Sequence, residues 1–230
     1  MSEHRCVNII LIETSTSLCS VALCRDGEII SYRESPTPKS QASLTAPFIQ
    51  EVLEECHLKV TDCDGVCVSS GPGSYTGLRV GVSTAKGLCF GANLPLYAIS
   101  TMDILAEMGR DRKCDYTVPM IDARRMEVYA AVFNSDGQQI SKTEPVVVDG
   151  NSFSEYLQKG TVLFIGDGAE KCRGTLTSAN AEFLQCYPNA KAMGRLAYRL
   201  FQEGKKENVA YFEPFYLKDF IATISKKSLF

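Results

Sequence analysis

The stretch Val7–Arg33, VNIILIETSTSLCSVALCRDGEIISYR, decides the fold class of this chain. It begins with a continuous apolar run, Val7–Ile12, which predicts a buried strand that delivers polar residues to its C-terminal end. Ser20–Cys24 predicts a second strand, and the turn residues Asp26-Gly27 join it to a third strand over Glu28–Arg33. The chain is therefore expected to open with an antiparallel meander of three strands.

Helices and strands alternate after this meander. Pro47 lies within the first predicted helix, where it either marks the first turn or kinks the helix. Ser100 or Thr101 is the expected N-cap of the third helix. The predicted elements are helices over Ala42–Leu58, Tyr75–Gly91 and Thr101–Gly109, and strands over Val66–Val68 and Pro95–Ile99.

The second half repeats this theme loosely, which indicates an internal duplication. An apolar strand, an acidic residue and a hairpin reappear in it, and Lys218–Phe230 is expected to be a loosely held tail. We predict an α/β fold with two lobes of mixed sheet, 1–103 and 104–230, in which the C-terminal helix and tail of the second lobe could pack back on the first. Its elements are strands Tyr116–Ile121, Glu127–Phe133 and Val162–Ile165, the turn Asp136-Gly137, and a helix over Ala192–Glu203.

Composition excludes several classes of protein. The formal net charge of -3 does not fit a basic nucleic-acid binder, so RNA contact would need a partner that supplies positive charge. No apolar run is long enough for a signal sequence or a membrane span, and we expect a cytoplasmic protein. The ten cysteines contain no CxxC and several lie in apolar runs, which favours reduced structural thiols.

Two segments could contact a phosphate group. Glu13-Thr14-Ser15 follows a buried strand, and it reads either as a phosphate contact or as a turn capped by its own hydroxyls. Gly71-Pro72-Gly73-Ser74 precedes a helix, where glycines and the helix N-terminus favour an anion. It is neither a P-loop nor GxGxxG, and a tight connection with Ser74 as N-cap explains it equally well. No hydrolytic motif is present, and a histidine-based catalytic set is improbable with only two histidines.

The first two helices carry the surface that we expect to meet a partner. The first has two apolar stripes, which is wider than a helix on a sheet needs. The second has small residues one turn apart, and either the protein's own sheet or a helix of another chain could pack there. The predicted partner interface consists of Leu44, Phe48, Val52, Tyr75, Gly77, Leu78, Gly81 and Ala85.

These segments together resemble the TsaB (YeaZ) family. The resemblance is carried by Glu13-Thr14-Ser15-Thr16, by GPGSYTGLR over Gly71–Arg79, and by the weaker pieces Asp122-Ala-Arg, Gly166-Asp167-Gly168 and Pro214–Leu217. It implies an actin/Hsp70/sugar-kinase-like fold of two duplicated lobes. It also implies a non-catalytic subunit that supports TsaD in making N6-threonylcarbamoyladenosine in tRNAs reading codons that start with A, together with the ATPase TsaE. In that scheme tRNA is bound only through the complex, ATP and metal belong to the partners, and the chain requires no cofactor.

Two departures from the family pattern argue against metal or nucleotide binding by this chain on its own. Gln41 stands near the start of the first helix, where many relatives have a histidine, and glutamine is a poor transition-metal ligand. Glu13 stands where an aspartate is frequent in the superfamily, so nucleotide contacts at Glu13, Thr14, Ser15, Gly71, Gly73 and Ser74 would be vestigial. The alternatives are an ATP-dependent kinase or metallopeptidase-like enzyme of the same fold, and a self-associating scaffold that forms a homodimer through the first two helices.

Overall fold

The first sheet confirms the predicted opening meander. The computed structural model describes residues 5–217, so the predicted tail Lys218–Phe230 lies outside the described residues. Strand order in this sheet is β3-β2-β1-β4-β5, with the first three strands antiparallel and the last two parallel to β1. Its strands are β1 Asn8–Glu13, β2 Cys19–Arg25, β3 Glu28–Ser35, β4 Gly65–Gly71 and β5 Leu96–Ser100.

Both faces of this sheet are covered, as the continuous apolar run of β1 requires. Ile10 and Ile12 face one side, where they pack with α1 (Gln41–Glu55) and α2 (Tyr75–Ala92). Ile9 and Leu11 point to the other side, where a short 3-10 helix (Ala190–Met193) and the last helix of the chain cover them. The fully buried β1 therefore lies at the centre of the first lobe.

The helix ends follow local sequence chemistry. Ser100 is the N-cap of α3 (Thr101–Met108), and its hydroxyl accepts a hydrogen bond from the Met102 N–H at 3.1 Å. Pro47 lies in the interior of α1 on its exposed side, so it does not mark the first turn. The predicted boundary after residue 103 falls within α3, which contacts strands of both sheets.

The second sheet repeats the topology of the first. Its strand order is β9-β7-β6-β10-β11, antiparallel on the β9-β7-β6 side and parallel on the β6-β10-β11 side. A four-residue helix, α4 Ser154–Leu157, precedes β10. The strands of the second sheet are β6 Tyr116–Asp122, β7 Glu127–Ala130, β8 Phe133–Asn134, β9 Glu144–Val147, β10 Val162–Ile165 and β11 Ala181–Leu184. The identical order and orientation of five strands establish the duplication that the sequence only suggested.

The prediction of one strand over Glu127–Phe133 was wrong, because the chain forms β7 and β8 separately. Val132 leaves the ladder: its N–H donates to the Ser141 hydroxyl at 2.8 Å, and its carbonyl accepts from the Ile140 N–H at 2.8 Å. These bonds to the following loop replace bonds to β6 at this point. β8 then pairs with the start of β6.

The last helix, α5 Gly194–Gln202, begins two residues later than predicted because the 3-10 helix precedes it. Met193, Leu196 and Ala197 pack against Ile9 and Leu11, so this segment belongs to the core of the first lobe. The Ala190 N–H also donates to the Ser20 hydroxyl on β2 at 3.0 Å. Among the described helices, none has the length and hydropathy that crossing a bilayer demands.

Candidate functional site

The loop after β1 lies directly against the N-terminus of α2. The Ser74 N–H donates to the Ser15 carbonyl at 2.6 Å, and the Thr14 hydroxyl donates to the Gly77 carbonyl at 2.8 Å. Ser74 itself caps the helix, because its hydroxyl accepts from the Gly77 N–H at 3.2 Å. The two segments singled out in the sequence are thus neighbours joined by two hydrogen bonds, although the buried Ser15 and Thr16 hydroxyls have no hydrogen-bond partner among the described residues.

The glycines of this region make room for the protein's own backbone. A Cβ atom at Gly73 would overlap the Ser15 carbonyl oxygen, and one at Gly77 would overlap the Thr14 carbonyl oxygen. Gly71 has φ +105°, and the Phe215 carbonyl oxygen lies 2.6 Å from where its Cβ would be. The close approaches that suggested a bound phosphate are therefore made within the chain.

The nucleotide contacts proposed from the sequence stay a prediction, and the structure gives these residues contacts within the chain. Glu13, Thr14 and Ser15 are completely buried, and the Ser15 carbonyl occupies a donor of the helix N-terminus that an anion would need. Gly71 is buried as well, and the Ser15 carbonyl occupies the space beside Gly73. The Ser74 hydroxyl already accepts the Gly77 N–H as the N-cap of α2. The loop after β1 therefore leaves no space for a phosphate against Gly73 or Gly77.

A completely buried carboxyl group ends the central strand β1 of the first lobe, and a partly buried one follows β10 of the second lobe. Glu13 ends β1, and its Oε1 atom accepts from the Ser15 N–H at 2.9 Å. Its Oε2 atom has no hydrogen-bond partner in the described part of the chain. Burial raises the pKa of Glu13 to about 7, and the negative charge of Asp167 adds to this effect.

Asp167 follows β10, the strand that matches β4 in the shared strand order, whereas the counterpart of Glu13 is Asp122 at the end of β6. Burial raises the pKa of Asp167 to about 6, although its Oδ1 atom accepts from the Asp122 N–H at 2.9 Å. Asp122, at the end of β6, forms an ion pair with Lys171. Glu13 and Asp167 are therefore close enough for their negative charges to repel. The strand ends that carry them, one in each lobe, face each other.

Metal binding has no obvious ligand set here. The Gln41 side-chain amide donates to the Thr16 carbonyl at 2.7 Å, which fastens α1 to the loop after β1. Between residues 5 and 217, no group of three or more histidine, cysteine, aspartate or glutamate side chains is placed to hold a metal ion. Gln41 thus has a structural role at the position where a ligand was considered.

Five of the eight residues proposed for the partner interface face the protein's own core. Val52, Leu78 and Ala85 are completely buried. Gly77 lies against the Thr14 carbonyl, and a Cβ at Gly81 would overlap the Thr14 hydroxyl. The sequence left two partners open for this glycine stripe, and the structure assigns it to the first sheet. Leu44, Phe48 and Tyr75 keep part of their surface exposed, and their interface role stays a prediction.

Another side of α2, not predicted from the sequence, is open to solvent. Added Cβ atoms at Gly87 and Gly91 would meet nothing within 4 Å. Phe90 lies between them with 86% of its surface exposed. The signal was present, because Gly87 follows Gly81 by six residues and so points to a different side of the helix. We call the surface of Ser83, Gly87, Phe90 and Gly91 the outer face of α2.

Two duplicated lobes of mixed sheet, flanked by helices and facing each other at the ends of their central strands, define the actin/Hsp70/sugar-kinase-like class. The model of the TsaD family, described as tRNA N6-adenosine threonylcarbamoyltransferase, matches residues 37–226. The chain belongs to this wider family and, within it, to the TsaB (YeaZ) proteins.

Two curated relatives support this assignment. The tRNA threonylcarbamoyladenosine biosynthesis protein TsaB of Escherichia coli is 33% identical, with 94% of this chain and 96% of the relative covered. The protein of the same name from Bacillus subtilis is 31% identical, with 70% of this chain and 71% of the relative covered. YeaZ from Pseudomonas aeruginosa superposes with a TM-score of 0.79 at 24% identity, covering 92% of this chain and 100% of YeaZ, which shows the shared fold. These relatives assign the chain to the synthesis of threonylcarbamoyladenosine in tRNA.

Proposed function

We propose that this chain is a non-catalytic subunit that binds and supports a TsaD-like paralogue, which forms N6-threonylcarbamoyladenosine in tRNAs reading codons that start with A. The non-catalytic role rests on one observation: residues of the loop after β1 occupy the place where a phosphate would bind at the N-terminus of α2. Thr14 and Ser15 take the space and the helix N-terminal donor that a phosphate would use. ATP, metal and a TsaE-like ATPase then belong to the partners.

The outer face of α2, beside α1, supports pairing with a second chain. Gly87 and Gly91 leave the backbone bare, which lets a helix approach closely, and Phe90 can act as an aromatic anchor. Ala46 and Pro47 are exposed on α1, which packs beside α2. We place the partner interface here, with the partly exposed Leu44, Phe48 and Tyr75 at its border.

The experiment is co-purification of the chain with the TsaD-like subunit of the same organism, using G87R. Arginine is a better helix former than glycine, so the isolated variant should be as stable as the original or slightly more so. Its side chain would occupy the bare backbone, and we expect pairing to weaken at least tenfold. G174R is the matched control, because a Cβ at Gly174 also meets nothing within 4 Å.

The outcomes separate the alternatives. Equal pairing by G87R and the original chain would place the interface elsewhere. Gel filtration of the lone chain tests self-association, and a dimer that G87R dissociates while TsaD binding is unaffected would favour the scaffold. Threonylcarbamoyl transfer, peptidase or ATPase turnover that co-elutes with the lone chain would contradict the non-catalytic role.

RNA binding provides a second test of the same proposal. The net charge of -3 does not favour phosphate contacts, so the lone chain should bind tRNA weakly at physiological salt. The complex with the TsaD-like subunit should bind it more tightly. Tight, salt-sensitive binding of tRNA by the lone chain in a filter assay would contradict a role through the complex.

A further inference from the structure

A cleft of about 560 Å³ lies at the end of β6 opposite to Asp122, and so at the far end of the second sheet from Glu13 and Asp167. Thr117, near the start of β6, lines it, whereas Asp122 ends the same strand roughly 16 Å away. The walls come from α3 and the loop after it, from the hairpin tip that follows β8, and from α5. We call this cleft the arginine pocket, after its residues Arg110, Arg112, Arg195 and Arg199.

Positive charge exceeds negative charge in the arginine pocket. Four arginines line it, against the three acidic residues Asp103, Glu107 and Asp136. Glu107 is shared, because it pairs with Arg195 and lies 4.0 Å from Arg110. The arginines therefore have donors to spare, since each guanidinium carries five N–H groups.

Arg112 and Arg199 are the least compensated of the four. Arg112 makes no side-chain hydrogen bond or ion pair within residues 5–217. Arg199 interacts with Asp103, but burial raises the pKa of Asp103 and works against its charged form. Arg195 and Arg199 are also four residues apart on α5, a spacing at which like charges repel and destabilise a helix.

The combination of charge and shape selects the class of ligand. Planar guanidinium groups bind phosphate oxygens in pairs, with geometry that lysine does not offer. The volume lies in the range of small-molecule sites, and Ala106, Leu196 and Phe133 add apolar wall for the rest of a ligand. A concave site of this size fits a compact molecule better than an RNA backbone, which needs an extended basic surface.

We propose that the arginine pocket binds a small phosphorylated molecule by its phosphate or diphosphate group, with Arg112 and Arg199 as the principal ligands. The site is separate from the outer face of α2 and does not rest on the pairing function. Because α5 packs on the first sheet and the β8 hairpin belongs to the second, a bound ligand would join elements of both lobes.

Titration calorimetry of the full chain with pyrophosphate, at low and at moderate salt, tests this proposal. We expect saturable one-site binding that weakens at least tenfold in R199Q and in R112Q. R173Q is the control, since it removes the same charge from the second lobe outside the pocket. Far-UV circular dichroism and thermal melting establish that each variant is folded.

Two results would overturn the proposal. If pyrophosphate does not saturate a single site, or if R173Q weakens binding as much as R199Q does, the attraction is unspecific. A short RNA hairpin that binds through Arg112 and Arg199 while pyrophosphate does not would assign these arginines to RNA. Unchanged pyrophosphate binding in G87R, alongside weaker pairing with the TsaD-like subunit, is the result expected for two independent sites.

Discussion

Thr14 explains why α2 carries glycines at its N-terminal end. Its carbonyl lies where a Cβ of residue 77 would be, and its hydroxyl lies where a Cβ of residue 81 would be. The same hydroxyl donates to the Gly77 carbonyl, so it cannot rotate away without losing a buried hydrogen bond. One threonine thus fixes two helix residues as glycine, although each glycine weakens the helix by up to about 1 kcal/mol relative to alanine.

G81A should destabilise the chain, despite the better helix propensity of alanine. The new methyl group would overlap the Thr14 hydroxyl and approach a Val68 methyl at 3.4 Å, and overpacking of this kind typically costs about 1–3 kcal/mol. T14A removes the hydroxyl, so the double variant G81A/T14A should lose less than the sum of the two single losses. Urea unfolding of the four proteins measures this coupling. Strict additivity would show that Thr14 is not what excludes a side chain at position 81.

Glu13 should make stability depend on pH. Its folded pKa of about 7 exceeds its ordinary value of 4.5, so the folded state holds this proton more tightly than the unfolded state does. The stabilisation is complete below about pH 4.5, declines as pH rises to 7, and is then lost, for a total of about 3 kcal/mol. E13Q keeps a neutral side chain of similar shape and should flatten the unfolding free energy between pH 5 and 7. An unchanged pH slope in E13Q would assign the dependence to another group, with Asp167 as the first candidate.

At the scale of elements, the helices show what the sequence could and could not predict. Apolar periodicity located α1 and α2 within a few residues, because burial against a sheet selects that pattern. It did not tell which side of α2 faces inward, because glycines occur on both sides of the helix. The choice between Gly81 and Gly87 depends on the loop after β1, which is distant in sequence and unpredictable from helix periodicity. The break between β7 and β8 depends likewise on Ser141, a loop residue with no strand signal.

Pro47 gives a prediction about α1. It lies in the helix interior on the exposed side, where proline lacks the N–H that would bond to the Ser43 carbonyl. P47A should restore that bond and raise the free energy of unfolding by about 1–2 kcal/mol, after allowing for the more flexible unfolded chain. Thermal and urea unfolding measure the change, and Q50A on the same exposed side should stay within about 0.5 kcal/mol of the original. A destabilised P47A would show that the proline ring makes contacts that α1 needs.

The whole molecule is a duplication whose two halves are not closed units. Both sheets have the same order and orientation, and the sequence indicated this through the recurrence of a buried strand, an acidic residue and a hairpin. The last helix breaks the symmetry, since α5 follows the second sheet in the chain but packs on the first. The sequence allowed the C-terminal helix to pack on the first lobe, but only the shared core of Leu196 with Ile9 and Leu11 establishes this packing. The N-terminal segment alone would therefore leave one face of its central strand uncovered.

L196A should accordingly weaken the first lobe, although residue 196 follows the entire second sheet. Leu196 is buried against β1, and truncation of such a leucine costs about 2–5 kcal/mol. L163A is the matched variant, because Leu163 is buried on β10 with Ile165 and Phe133 in the core of the second lobe. Native-state hydrogen exchange resolves the two effects, since it reports the opening of separate segments.

In L196A, amide exchange should accelerate more in β1 and β2 than in β10, and L163A should show the reverse order. Lobes that open separately produce this crossed pattern, because each core then carries its own part of the stability. Equal acceleration of all strands in both variants would mean that the protein unfolds as one unit. Acceleration confined to α5 in L196A would mean that the first sheet does not need this helix. The crossed pattern alone fits a first lobe that is completed by the C-terminal end of the chain.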